Sequence, residues 1–163
     1  MHFFYLFRRC RYARLRGVTD EEYSVIENVT NRIIEHTNTL SGRNDVIDHL
    51  AIRSTPRKGV PAHADNKKWE PSNSTWVPNG SGHRTWSAII LLNTPSEYKG
   101  GTIRFHDPNR ADFLPGKGQG VIFDASEKNV HSVDTVPHGE RFTFMVWLSH
   151  ASGEHTRKKY FLW

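Results

Sequence analysis

Three side chains in this sequence have the types and spacing to hold one metal ion. His63 and Asp65 lie in Pro61-Ala62-His63-Ala64-Asp65-Asn66. In an extended strand residues two apart point to the same face, so an imidazole and a carboxylate can converge there. The third leg must come from a distant segment, and His131, in Asn129-Val130-His131-Ser132-Val133, is the best candidate. Two imidazoles and one carboxylate on one side of an ion leave its other positions open, which suits a ferrous ion that must bind small molecules and oxygen. With ten histidines in the chain an accidental His-x-Asp is easy, so the reading depends on what surrounds the motif.

A second chemical feature is Gly139-Glu140-Arg141-Phe142-Thr143-Phe144-Met145-Val146-Trp147-Leu148. Read as a strand, it carries Phe142, Phe144, Val146 and Leu148 on one face and Arg141, Thr143, Met145 and Trp147 on the other. An arginine on a largely apolar face is costly to bury unless an anion meets it. Guanidinium grips a carboxylate in two places at once. Of the remaining histidines, His83, His106, His138, His150 and His155 fall in loops or at strand ends and are not assigned as ligands. Of these, His106 and His138 are the ones placed to approach the mouth of a β-barrel.

The elements that must position these groups follow from the pattern of the chain. Its 163 residues, 36% hydrophobic with five Trp and nine Phe, fit one folded domain with a real core. We divide it into a basic lead-in over 1–17, a helix plus β core over 18–150, and a basic tail over 151–163. The net charge of +5 collects toward the two ends, where basic runs are commonly solvated arms. A single cysteine, Cys10, excludes an internal disulfide framework and a thiolate cluster. Phe3 to Phe7 is too short for a signal-peptide core or a membrane span, so no membrane span and a cytoplasmic location are expected. Sequons at Asn28, Asn73 and Asn79 are no more than this Asn, Ser and Thr content produces by chance.

Thr19-Asp20-Glu21-Glu22 reads as a capping box, and Tyr23, Ile26, Val29, Ile33, Ile34, Thr37 and Leu40 recur at helical spacing up to Ser41-Gly42. This predicts a helix over 19–40 with one buried stripe. Val46 to Arg53 reads as a strand. Residues 66–83 are polar, broken by Pro71, Pro78, Gly80 and Gly82, and are expected to form a long loop whose Trp69 and Trp76 suggest a lid beside the metal. Arg84 to Asn93 is a near-continuous apolar strand with Thr85, Ser87, Ile89 and Leu91 on one side. Tyr98-Lys99-Gly100-Gly101 is a turn, followed by short strands at Thr102 to Phe105 and Val121 to Phe123. Gly116, Gly118 and Gly120 lack the lysine and the following helix of a phosphate loop.

Taken in order, these features resemble the prolyl hydroxylase branch of the Fe(II)/2-oxoglutarate dioxygenases over about Asp48 to Ser149. His63-Ala64-Asp65-Asn66 matches the family's first two iron ligands and the Asn that often follows. Ser87 to Asn93 is similar to the strand ending in Leu-Asn, and Tyr98-Lys99-Gly100-Gly101 to its Gly-Gly turn. Pro115 through Phe123 resembles the segment before the distal histidine, His131. Arg141, ten residues later, occupies the basic position that binds the far carboxylate of 2-oxoglutarate, with Trp147 six residues beyond. The Asn66 and Ser-Ala-Ile features resemble leprecan-type prolyl 3-hydroxylases, and the Arg141 to Trp147 strand resembles oxygen-sensing prolyl 4-hydroxylases. The sequence departs from relatives at Leu91, where many carry a tyrosine that bonds 2-oxoglutarate, and at Met145, where some carry threonine. Thr143 or Ser87 are then the side chains expected to substitute.

The resemblance implies a mainly β, jelly-roll-like double-stranded β-helix with an N-terminal supporting helix. It implies Fe(II) held by His63, Asp65 and His131, with 2-oxoglutarate and O2 as co-substrates, ascorbate as a possible reductant, and Arg141, Thr143, Ser87 and Trp147 lining the co-substrate site. The expected activity is hydroxylation of an amino-acid side chain, with proline in a peptide or protein first and a free amino acid as a further possibility. Two other readings stay open. One is nucleic-acid demethylation in the same superfamily, although such enzymes typically carry arginine where this chain has Trp147. The other is a non-catalytic basic β-sandwich that binds acidic or nucleic-acid partners.

Overall fold

A computed structural model of the chain describes residues 19–55 and 57–150, and the backbone of Lys159–Leu162. The lead-in with Cys10, most of the basic tail, His155 and Trp163 lie outside the described residues.

The first element among the described residues is helix α1, Asp20–Ser41. Its start is fixed as the capping box requires: the Glu22 N–H donates to Thr19 Oγ1 at 3.2 Å, and the Thr19 N–H donates to Glu22 Oε2 at 2.8 Å. Such a cap is worth about 1 kcal/mol. Gly42 ends the helix in the left-handed region, φ 64°, with its N–H donating to the Asn38 carbonyl. Ile26, Val29, Ile33 and Ile34 face the sheet. Thr30 and Thr37 are buried on the same stripe, and their hydroxyls donate to the carbonyls of Ile26 and Ile33. Leu40, expected on this stripe, is 62% exposed. The last turn is held by a polar contact instead, the Asp45 N–H donating to Asn38 Oδ1.

Among the described residues twelve strands follow. They are β1 (Asp45–Ser54), β2 (Val60–His63), β3 (Lys67–Glu70), β4 (Thr75–Pro78), β5 (Arg84–Leu91), β6 (Tyr98–Lys99), β7 (Ile103–Phe105), β8 (Gly120–Asp124), β9 (His131–Val133), β10 (His138–Gly139), β11 (Phe142–His150) and β12 (Lys159–Leu162). The major sheet runs β12-β1-β11-β5-β8, and a minor sheet runs β2-β9-β7. Pairing in both is antiparallel, apart from β12 lying parallel to β1.

Alternation along β5 and β11 divides the core as the sequence predicts. On one face Ala88, Phe144, Val146 and Leu148 join Ile47 and pack against Ile33 of α1. On the other, Ile89 and Phe123, with Met145, pack against Ile103, Phe105 and Val133 of the minor sheet. Helix, major sheet and minor sheet thus form three layers, and the expected mainly β, double-stranded β-helix with an N-terminal supporting helix is what the described residues adopt. Among the described residues a groove of about 770 Å³ runs between Val25, Val29 and His36 of α1 and Ile90 and Ile122 of the sheet.

Residues 66–83 correct the sequence reading. They are not a loop without structure but contain the hairpin β3–β4, with Trp69 paired to Trp76 across the strands and their rings 5.7 Å apart, edge to face. Aromatic cross-strand pairs of this kind stabilise a short ladder.

Candidate metal centre

β2 ends at His63, and Asp65 lies in the bend that follows rather than on the strand. His131 opens β9, directly opposite His63 in the ladder, and Phe105 of β7 faces His131 from the other side. One row across the minor sheet therefore carries both imidazoles. Their ring centroids are 4.4 Å apart, and the ligand atoms of His63, Asp65 and His131 all lie within 4.8 Å of one another.

Each histidine has its second nitrogen committed to its own backbone. His63 Nδ1 is 2.8 Å from the Pro61 carbonyl and His131 Nδ1 is 2.9 Å from the Asn129 carbonyl. A carbonyl only accepts, so Nδ1 carries the proton and Nε2 is left as a lone pair in the neutral ring. This is the outer hydrogen bond that orients metal-binding histidines. The short 3₁₀ turn Glu127–Asn129 supplies the carbonyl for His131, and is itself held by Asn129 Nδ2 donating to the Asp124 carbonyl. Phe123 packs edge to face on His131 at 4.7 Å, so this ring is 2% exposed.

Asp65 is placed by its neighbours. The Asn66 N–H donates to the Ala125 carbonyl and Asn66 Nδ2 to the Arg84 carbonyl, tying the bend to the ends of β8 and β5. From the hairpin side, Asn79 Nδ2 reaches the carbonyls of Asp65 and Lys67, both at 3.3 Å. Burial alone would raise the Asp65 pKa. The His63 side chain, the charge at His131 and the nearby Ser87 hydroxyl outweigh burial and hold it at about 2. His63 is shifted upward, chiefly by the Asp65 carboxylate 3.6 Å from its Nε2, while burial pushes His131 downward. An ionised carboxylate beside a neutral buried imidazole is the protonation state a divalent cation needs. The donor set, the outer hydrogen bonds and the charge all fit ferrous iron.

Arg141 lies just before β11 and is 2% exposed. Its Nη1 donates to Thr55 Oγ1 at 2.9 Å, while Nε and Nη2 have no hydrogen-bond partner among the described residues. Burial shifts its pKa downward, partly offset by the Tyr98 oxygen. A buried guanidinium with two unused donors is incomplete, and a carboxylate completes it. Gly101 makes the space: at φ 73° a Cβ there would stand 2.5 Å from Arg141 Cδ.

The other sequence candidates are distributed around this centre. Ser87, 1% exposed on the inner face of β5, lies beside Asp65. The Thr143 hydroxyl is directed to the Arg53 carbonyl at 3.4 Å. Trp147 is grouped with the His49 ring and with the guanidiniums of Arg84, 4.6 Å from its ring centroid, and Arg53 at 5.7 Å. Arg84 is in turn held by Asp48 at the irregularity in β1. Leu91 and Met145 both pack in the core. His106 is exposed and bonds Ser132, and His138 is exposed on β10. Sequence reasoning missed Thr55 and Tyr98, which meet Arg141 only through strand pairing, and Asn79, whose role depends on the hairpin.

Comparison with known proteins agrees with this geometry. Residues 50–149 match the model of the 2OG-Fe(II) oxygenase superfamily. Among solved structures, an oxidoreductase of the 2OG-Fe(II) oxygenase family from Burkholderia pseudomallei aligns at TM-score 0.53 and 18% identity, covering 87% of this chain and 65% of its own. The viral collagen prolyl hydroxylase of Paramecium Bursaria Chlorella virus-1 aligns at TM-score 0.56 and 17% identity, over 83% of this chain and 78% of that one. A Pseudomonas putida prolyl-4-hydroxylase aligns at 0.53 and 20%, over 85% and 71%. The chain thus spans slightly less than two thirds of the first of these, and at such identities the likeness is one of fold. No curated protein matches the sequence. The match over residues 50–149, on a fold that gathers two histidines and an aspartate at one end of its inner face, shows that the chain belongs to the 2OG-Fe(II) oxygenase superfamily.

Proposed function

We propose that this protein is an Fe(II)- and 2-oxoglutarate-dependent oxygenase that hydroxylates an amino-acid side chain, with proline in a peptide or protein as the first substrate to test. The observation that carries the proposal is the pairing of a ready metal seat with a buried, half-satisfied cation: His63, Asp65 and His131 within 4.8 Å, and Arg141 with two donors unused. The prolyl hydroxylases among the structural neighbours support the choice of substrate class.

In this reading His63 and His131 offer Nε2 and Asp65 offers a carboxylate, which together fix three positions of the ion and neutralise half its charge. Iron held by these three residues would supply the oxidising chemistry of an oxygenase, in which 2-oxoglutarate and oxygen are consumed, one oxygen atom goes to the substrate as a hydroxyl group and the other to succinate, and carbon dioxide is released. Arg141 binds the distal carboxylate, so the co-substrate enters in one orientation. Phe105 and Phe123 shield His131 from solvent and keep its ring neutral. Ascorbate would serve as a reductant that keeps the metal ferrous. Among the described residues no helix is long and apolar enough to cross a membrane.

The test is succinate release from 2-oxoglutarate, screened over proline-containing peptides and free amino acids, with mass analysis of the product. His63→Ala and Asp65→Ala should each lower turnover more than about 100-fold while leaving the fold intact, since altering even outer hydrogen bonds of metal ligands costs 10–100-fold. Unchanged turnover in either variant refutes the assignment.

A further inference from the structure

Arg141 is a buried cation with donors unused, and the wall beside it is formed in part by Leu91 of β5, which is 0% exposed and has no polar atom to offer in its side chain. The place next to Leu91 is taken by a tyrosine. Leu91, Tyr98 and Val136 form one buried cluster, and Tyr98 is 5% exposed. Its hydroxyl has no hydrogen-bond partner among the described residues, and neither do Nε and Nη2 of Arg141. The two side chains are close enough for each to perturb the other's ionisation. The phenol oxygen can accept from the neighbouring guanidinium, but the phenol's own O–H and the remaining Arg141 donors are buried with no acceptor among the described residues, an arrangement that folded proteins avoid unless something else fills it.

The backbone shows how this arrangement arises. β10 pairs with β6, placing Gly139 opposite Tyr98, and Arg141 follows two residues later. Gly139, at φ 72°, permits the approach, because a Cβ there would meet the Tyr98 Cα at 2.8 Å and the Glu97 carbonyl at 2.2 Å. Gly101 then opens the room beside the Arg141 stem. Of the two other side chains expected to bind the co-substrate, Thr143 is directed to the Arg53 carbonyl and Ser87 lies beside Asp65 rather than beside Arg141.

We propose that Tyr98 is a positioning residue for the co-substrate: its hydroxyl donates from β6 to the distal carboxylate of a five-carbon 2-oxo dicarboxylate alongside Arg141. This rests on the oxygenase reading above. Burial raises the Tyr98 pKa, so the phenol keeps its proton and stays a donor.

Calorimetric binding to the Mn(II)-loaded protein under nitrogen tests the assignment without turnover. Tyr98→Phe keeps the ring and removes only the hydroxyl, and a hydrogen bond to a charged group corresponds to about tenfold or more in affinity. The variant should bind 2-oxoglutarate about tenfold more weakly than wild type and bind oxalate, which chelates metal but has no distal carboxylate, equally well. Equal oxalate binding also shows that the metal site is still folded. Wild-type 2-oxoglutarate affinity in Tyr98→Phe, with weakened binding in Arg141→Ala, overturns the role of Tyr98 and leaves the oxygenase reading standing. An equal loss for oxalate and 2-oxoglutarate in Tyr98→Phe makes the residue merely structural. Failure of the wild-type protein to bind 2-oxoglutarate overturns both.

Discussion

At the scale of single residues, the protonation of the metal seat is set before any metal arrives. Asp65 has a folded pKa of about 2, below its ordinary value of 3.8. A group whose folded pKa is depressed adds stability above its unfolded pKa and loses it as pH falls through the folded one. The metal-free protein should therefore lose on the order of 2 kcal/mol between about pH 4 and pH 2 on account of this carboxylate. Urea unfolding of Asp65→Asn across that window should show a shallower decline than wild type, and parallel curves would contradict the assignment. Two chemical features of the sequence are legible at this scale because each is local: a two-residue spacing keeps His63 near Asp65, although Asp65 sits in the bend after β2 and not on the strand, and an arginine on an apolar face announces an anion. Tyr98 was not legible. Nothing in Tyr98-Lys99-Gly100-Gly101 says where a phenol points until β10 has paired with β6 and brought Arg141 beside it.

At the scale of elements, the helix and the long strands follow from pattern, while the hairpin does not. The capping box and 3.6-residue spacing give α1 to within a residue at each end, and the alternation along β5 and β11 gives both faces of the major sheet. β3 and β4 carry Lys-Lys-Trp-Glu and Thr-Trp-Val-Pro, polar and interrupted by proline, so neither shows an apolar period. Their order comes from the Trp69–Trp76 pair and from Asn79, both of which are tertiary facts. Asn79→Ala removes two donations to the backbone, one of them to the Asp65 carbonyl itself. It should destabilise the protein by about 1–2 kcal/mol and weaken metal binding, up to about tenfold, without touching the metal. Competition with a chromophoric chelator would measure the second effect, and an unchanged metal affinity would show that the hairpin does not help hold Asp65 in place.

At the scale of the molecule, the major sheet is the wall shared by two different packings. Its outer face packs against α1 through Ile33, Phe144, Val146 and Leu148, while its inner face closes on the minor sheet that carries His63 and His131. Phe144 is 6% exposed, and truncating it to alanine should cost about 3–5 kcal/mol. Because its side chain points away from the metal centre, Phe144→Ala should lower the thermal midpoint while leaving the metal affinity of the folded fraction unchanged. Loss of both in proportion at temperatures well below the transition would mean that the two faces are not independent.

The carbonyls of Pro61 and Asn129, which pin both imidazoles in place, have a consequence beyond catalysis. A seat made of two imidazoles and one carboxylate, already oriented, does not discriminate strongly among divalent transition ions, and copper or nickel would bind it more tightly than iron. On the proposed function, supply as well as affinity would then decide which ion fills the seat. Mismetallation is the failure to expect whenever the chain is produced where iron is scarce.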